Sequence, residues 1–407
     1  MSATSLPPSG WTPYMSDPIL YNTLTRKKEP LSDQSVGIYV CGVTPYDTTH
    51  LGHAFTYTAF DVLIRYLRFL GRDVTYVRNV TDIDDDILLR ARSREMHWKE
   101  LGDREYAKFM ADMQHLNNLP PECEPRATEH IPEIIRLIDG LLAKGCAYAS
   151  DGNVYFDVKN YPNFGKLCGL SYVAQLEVAN ERGNFPADPL KRDPLDFVLW
   201  QAKKDGEPSW PSRWAEGRPG WHIECSAMSM KYLGESFAIH GGGGDLVFPH
   251  HEAEIAQSEC LTGKPFVRHW MHTGMLYCGE HKMSKSLGNM VFLADLLPVC
   301  PPDAIRLYLL GHHYREPWNH DRRELAAART LARKFSHTLN GGGEEASDEE
   351  IGRCGSGVLA ALADDLETPK AIEELRRLAN SAEPEARRVG RTLGKRVLGL
   401  TFETSGM

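Results

Sequence analysis

Gly37-Ile38-Tyr39-Val40-Cys41 is a short run of β-forming apolar residues, and it ends in Gly42-Val43-Thr44-Pro45-Tyr46, a stretch that does not easily continue a strand. A helix is predicted from His50. Ala54, Tyr57, Ala59, Phe60, Leu63, Ile64, Leu67 and Leu70 recur at helical spacing, and Gly71 closes the segment. The next strand, Val74-Thr75-Tyr76-Val77, runs into Asn79-Val80-Thr81-Asp82-Ile83-Asp84-Asp85. Strand, helix and strand in this order predict a parallel nucleotide-binding sheet, an α/β fold of Rossmann-like topology. Such sheets place ligands at the carboxyl ends of their strands, where Cys41, His50, His53 and Thr81 all fall.

The sheet is predicted to be split by an insertion and followed by a C-terminal helical domain. The boundaries read as a lead (1–33), the first half of the catalytic sheet (34–115), the insertion (116–205) and the second half with the candidate metal ligands (206–275). A connecting segment (276–335) and a linker with a short helical domain (336–407) complete the chain. The insertion holds Pro120-Pro121, a helix from Ile131 to Lys144 and strand-like pieces around Val154-Tyr155-Phe156. Gly241 to Gly244 follow the strand Phe237-Ala238-Ile239-His240 but lack the spaced dinucleotide pattern, so close approach of backbone to a ligand is the expectation. Asn340 to Asp348 reads as a flexible acidic linker, and Val358 to Leu400 as helical hairpins.

With 42% apolar and 25% charged residues over 407 positions and no apolar run that spans a bilayer, the composition is that of a cytoplasmic globular enzyme. Met1 to Pro18 lacks the basic start and apolar core of a secretory signal. Nine unevenly spaced cysteines predict reduced thiols, one or more of them holding metal. The net charge of −9 offers no global attraction to nucleic acid, so any RNA contact needs a local basic face. Arg387, Arg388, Arg391, Lys395 and Arg396 are candidates for one.

The metal question turns on Cys225, His250 and Glu254. Thiolate, imidazole and carboxylate are zinc ligands, and positions 250 and 254 share one helical face. A metalloprotease His-Glu-x-x-His fails because residue 255 is Ile. Taken singly, each residue is more often buried filler or surface polarity. Cys41 at the ligand edge of the first strand allows a four-membered cluster drawn from both halves of the sheet.

His50-Leu51-Gly52-His53 and, far downstream, Lys282-Met283-Ser284-Lys285-Ser286 resemble the two nucleotide-binding signatures of class I aminoacyl-tRNA synthetases. The residues between them resemble the cysteinyl-tRNA synthetase family: Cys41-Gly42, Trp221-His222-Ile223-Glu224-Cys225-Ser226, Phe248-Pro249-His250-His251-Glu252-Ala253-Glu254, and Glu124 to His130. The likeness runs from about Leu20 through Asn319. It implies zinc on Cys41, Cys225, His250 and Glu254, where the ion takes the sulfur of the substrate cysteine and rejects serine. It further implies ATP with Mg2+ as cosubstrate, with His50, His53, Lys282 and Lys285 on the phosphates, Gly52 and Asp245 on adenosine, and Gly42, Thr81 and Trp221 at the cysteine pocket. The physical logic agrees: a helix start attracts anions, and lysines stabilise charge spreading over phosphate oxygens. The implied acceptor is tRNA(Cys), and the implied state a monomer with no membrane partner.

Two features depart from that family. Gly42-Val43-Thr44-Pro45-Tyr46-Asp47-Thr48-Thr49-His50-Leu51-Gly52-His53 is more similar to the ligase that joins cysteine to the amine of glucosaminyl-inositol in mycothiol synthesis, as is Ala363 to Ala371. The chain also ends soon after Leu400, where synthetases of this family normally continue. Glu254 argues the other way, since the mycothiol ligase pattern lacks a carboxylate there. Cysteine adenylation is therefore expected, with tRNA(Cys) as leading acceptor and the aminosugar-inositol as the alternative; a non-catalytic paralogue that binds cysteine or RNA is the third reading, disfavoured by the intact His50, His53, Lys282, Lys285 and candidate zinc set.

Overall fold

A computed structural model describes residues 17–47, 49–279, 281–283, 288–341 and 343–403. A short hairpin, β1 (Ile19–Asn22) with β2 (Lys27–Pro30), leads into β3 (Ser35–Val43), which is followed by α1 (Leu51–Phe69) and β4 (Asp73–Val80). After the insertion the sheet is completed by β9 (Phe237–Gly243) and β10 (Val267–Thr273), in the order β10-β9-β3-β4 with every pairing parallel. Register sets Tyr39 beside His240 and Val40 beside Gly241, so the two sequence halves meet at β3 and β9, the interior strands. Interior strands of a parallel sheet are covered on both faces, which is why Ile38, Tyr39, Val40 and Ile239 are all fully buried.

Helix α1 differs from the single apolar stripe its periodicity predicts: 15 of its 19 residues are buried. It packs on the sheet on one side and on α9 (Pro302–Leu310) and α14 (Pro384–Arg396) on the other, so polar positions such as Thr58 and Asp61 are enclosed as well. Asp61 is compensated by the fully buried Arg306 of α9, whose guanidinium also donates to the carbonyls of Leu116 (2.9 Å) and Leu398 (2.5 Å). Buried charge is tolerated here because every contact is paired.

Helices α2 (Asp85–Ser93) and α3 (Trp98–His115) follow β4. The insertion proper carries α4 (Ile131–Ala143), β5 (Ala147–Ser150), β6 (Asn153–Phe156), α5 (Tyr172–Glu181), β7 (Phe197–Ala202) and β8 (Gly217–Pro219). Its strands form an antiparallel sheet in that order, and β8 extends it past residue 205. Gly220 then turns the chain straight into α6 (Trp221–Leu233); a Cβ there would lie 2.0 Å from the Val198 carbonyl, so only glycine allows the turn. Cys146, after α4, is disulfide-bonded to Cys260 of α7 (Glu252–Thr262), with Cα atoms 6.6 Å apart. This corrects the expectation of reduced thiols throughout: the partners are 114 residues apart, and the packing of α4 on α7 brings them together.

Beyond β10, β11 (Leu276–Cys278) pairs antiparallel with β12 (His281–Lys282) and parallel with β13 (Trp318–Asn319). The short α8 (Leu293–Leu296) precedes α9, and α10 (Arg322–Leu339) packs on α9. Helices α11 (Asp348–Cys354), α12 (Ser356–Ala363) and α13 (Thr368–Ala379) complete a bundle with α14. The segment before α11 is tied down rather than free: Ala346 N–H donates to Thr392 Oγ1 at 2.9 Å, and Arg391 donates to the Glu344 carbonyl at 2.9 Å.

Candidate active site and metal centre

Cys41 lies near the end of β3, Cys225 one turn into α6, His250 in the turn Val247–His251 before α7, and Glu254 in the first turn of α7. Two helices, a strand and a turn from both halves of the sheet thus converge. Cys41 Sγ is 3.9 Å from Cys225 Sγ and 3.7 Å from Glu254 Oε1, and His250 Nε2 is 3.1 Å from the same oxygen. One ligand atom from each of the four falls within 4.8 Å of all the others, and every one is buried. Burial, with the neighbouring Cys225 thiol, pushes the Cys41 thiol well up; burial raises the Glu254 carboxyl, and burial with the nearby His222 and His240 lowers the His250 imidazole. Two sulfurs, a nitrogen and an oxygen in tetrahedral number fit a zinc ion, and a bound cation reverses these shifts by favouring thiolate and carboxylate.

Around this set stands a ring of histidines. Trp221 stacks on His250 with ring centres 4.2 Å apart, and His222 Nδ1 is 2.8 Å from His250 Nδ1. His240 Nε2 meets the second oxygen of Glu254 at 2.9 Å. His251 Nε2 lies 3.2 Å from Cys41 Sγ, its Nδ1 is 2.7 Å from His272 Nε2, and His272 Nδ1 is 2.8 Å from Thr23 Oγ1. Burial lowers His222 to about 4 and His240 and His272 to about 3, so these rings are neutral at physiological pH and pack against the four candidate residues without adding charge. Cys41, His240, His251 and Glu254 form a second compact set that shares two members with the first. The quoted motifs contain His222 and His251, but only the pairing of β9 with β3 and β10 reveals the roles of His240 and His272.

A cleft of about 1290 Å³ opens above this centre, lined by Cys41, Gly42, His50, Gly52, His53, Trp221, Asp245 and His250 among others. His50 caps α1, its Nδ1 accepting from His53 N–H at 3.3 Å, and the two imidazoles stack with centres 3.6 Å apart. A Cβ on Gly52 would press on the His50 ring at 3.0 Å, so the glycine lets that ring fold over the helix start. Asp245 follows β9, and its carbonyl accepts from Arg182 of the insertion. Met283 is buried and lines the cleft; Lys282 stands in β12, and Lys285 lies outside the described residues.

Thr81 stands behind Gly42. It is buried, its hydroxyl accepts from Asn79 Nδ2 at 3.1 Å, and Asn79 Oδ1 in turn accepts from Gly42 N–H at 2.8 Å, so Thr81 supports Gly42 from behind. Gly42 itself is demanded by the sheet, since a Cβ would lie 1.5 Å from the Asn79 carbonyl. Within the glycine run the roles divide: a Cβ on Gly241 would strike the Phe60 ring at 2.0 Å, so that glycine makes room for α1, whereas Gly243 lines the cleft.

Residues 27–330 match the model of the tRNA synthetases class I (C) catalytic domain. The chain is 49% identical over 371 residues to the cysteine-tRNA ligase of Legionella pneumophila (strain Corby), covering 89% of this chain and 79% of that protein. This chain belongs to the cysteine-tRNA ligase family. Another member, from Pasteurella multocida (strain Pm70), is 46% identical over 369 residues, covering 88% of this chain and 78% of its own length. Beyond the cysteine-tRNA ligases, the Mycobacterium tuberculosis methionyl-tRNA synthetase, solved in complex with methionyl-adenylate, shares the fold with a TM-score of 0.62 at 15% identity over 90% of both chains. Among the described residues no helix is long and apolar enough to cross a membrane.

Proposed function

We propose that this chain activates L-cysteine with ATP as cysteinyl-adenylate and transfers it to the 3' end of tRNA(Cys). The observation that carries the reading is the convergence of Cys41, Cys225, His250 and Glu254 at the floor of the cleft that His50 and His53 enter from above. When bound, zinc supplies a soft Lewis acid that favours the substrate's thiolate over a serine hydroxyl. The protein's own part is to hold the four donors close in a dry site, with His222, His240 and His251 fixing their orientation. Trp221, stacked on His250, closes the amino-acid side of the cleft.

On the nucleotide side, His50 and His53 stand at the start of α1, whose free N–H groups and dipole favour phosphate. They donate to phosphate oxygens as charge spreads during in-line displacement, and Lys282 and Lys285 supply mobile positive charge to the same oxygens. Asp245 holds the adenosine, and ATP enters with Mg2+.

An aminosugar-inositol acceptor is not favoured, because the curated relatives that span 88 to 89% of the chain are cysteine-tRNA ligases and the carboxylate at Glu254 is present. The test offers labelled cysteine, ATP and purified chain to tRNA(Cys) and to glucosaminyl-inositol in parallel. Acid-precipitable charging of tRNA supports the reading; ligation to the aminosugar with no tRNA charging refutes the acceptor while leaving adenylation intact.

A further inference from the structure

Four of the five basic residues singled out on α14 are engaged within the protein, and Lys395 is exposed. Arg388 pairs with Glu350, Arg396 approaches Glu345 at 3.5 Å, Arg387 donates to the Ser381 carbonyl at 2.6 Å, and Arg391 is held by the Glu344 carbonyl. A different cluster keeps an excess. Arg94, Arg104 and Lys108 converge on the single carboxylate of Glu105 at 3.2, 3.0 and 3.1 Å. Glu105 is 1% exposed, whereas Arg104 and Lys108 are 42% and 48% exposed. Arg90 and Arg94 also share Asp47, at 3.5 and 3.8 Å. Four cations therefore meet two carboxylates within 4 Å; Asp86, one turn before Arg90 on α2, is turned to Tyr46, and Asp112 faces inward on α3 at 8% exposure. Arg90 Nε is buried and has no acceptor among the described residues.

The position gives this excess a use. Asp47 lines the catalytic cleft on one side and takes Arg90 and Arg94 on the other, and a Cβ on Gly102 of α3 would sit 3.9 Å from Pro45 of the same loop. The cluster is thus the rim beside the His50 end of the cleft. Glu105 and Asp47 fix the direction of the cations without neutralising them, which pre-organises donors for a polyanion. We propose that Arg90, Arg94, Arg104 and Lys108 grip the sugar-phosphate backbone of the acceptor end of the tRNA as its 3' terminus enters the cleft.

The proposal rests on the tRNA-charging reading above, and the test separates the two. In the double variant Arg104→Gln, Lys108→Gln, cysteine-dependent pyrophosphate exchange stays within about twofold of the unsubstituted chain, because neither residue is placed at the reacting atoms. Aminoacylation kcat/KM for tRNA(Cys) falls about tenfold, and its log–log dependence on salt becomes shallower by about 1.4 to 1.8 for two lost phosphate contacts. Should the double variant also lose exchange, Lys108→Glu alone, on the exposed face of α3, takes its place with the same directions expected. Normal exchange with unchanged tRNA kinetics and salt slope overturns the proposal while leaving the function standing; exchange without any tRNA charging by the unsubstituted chain overturns both.

Discussion

His240 Nε2 lies 2.9 Å from Glu254 Oε2, and both side chains are fully buried. With its pKa lowered to about 3 by burial, the imidazole is neutral and its Nε2 engages Oε2, leaving the other oxygen, Oε1, directed at Cys41 and His250. A strand residue thereby aims the carboxylate carried on the following helix.

Replacing His240 with Ala removes this orientation and strands a buried carboxylate oxygen. Zinc affinity, measured by competition with a chromogenic chelator, is expected to fall about 10- to 100-fold, the usual cost of losing a partner behind a metal ligand. His240→Asn, which keeps a donor, retains part of it. Unchanged affinity in His240→Ala would mean that Glu254 is oriented by its helix alone.

Glu252 accepts three backbone N–H groups of the insertion, from Gly165, Leu167 and Cys168, at 2.8, 2.9 and 3.0 Å. It fastens the insertion to the helix that carries Glu254. Glu252→Ala leaves three donors unmet and is expected to cost at least about 3 kcal/mol in urea unfolding, given about 1–3 kcal/mol for each unsatisfied buried group. Limited proteolysis should then cut near residues 163–170 first; equal stability and no new cut would place the anchor elsewhere.

The architecture was legible where local pattern and tertiary role coincide. Cys41 announces itself because the strand carrying it must stop before Pro45, and His250 with Glu254 because they stand four residues apart where the turn runs into α7. His251 and Cys41 touch across 210 residues of sequence, and His240 reaches Glu254 only through the parallel pairing of β9 with β3, which no periodicity encodes. The apolar stripe of α1 reported that the helix packs, not that it packs on two sides. The basic face of α14 was visible, but the pairing of Arg388 with Glu350 and of Arg396 with Glu345 depends on how the acidic segment folds back.

Burial, together with the negative charges of Asp86 and Asp85, pushes the half-buried Asp84 carboxyl up to about 6. The folded state therefore holds a proton that the unfolded chain releases near pH 4. Stability falls as pH rises from about 4 to about 6, and the penalty is complete above that. Asp84→Asn, which keeps an acceptor for the Asp86 N–H that it caps at 2.8 Å, should melt higher than the unsubstituted chain at pH 7.5 and equally below about pH 4. Thermal melts across pH check this; a difference that persists at low pH would exclude the titration.

Cysteine-dependent and serine-dependent ATP–pyrophosphate exchange, measured on the chain as purified, after chelation, and after return of zinc, tests the central claim most directly. Exchange should appear with cysteine only, vanish in the metal-free protein, and return at about one zinc per chain. Exchange that persists without metal, or that serine supports as well as cysteine does, would contradict a site in which Cys41, Cys225, His250 and Glu254 hold the ion that reads the substrate's sulfur.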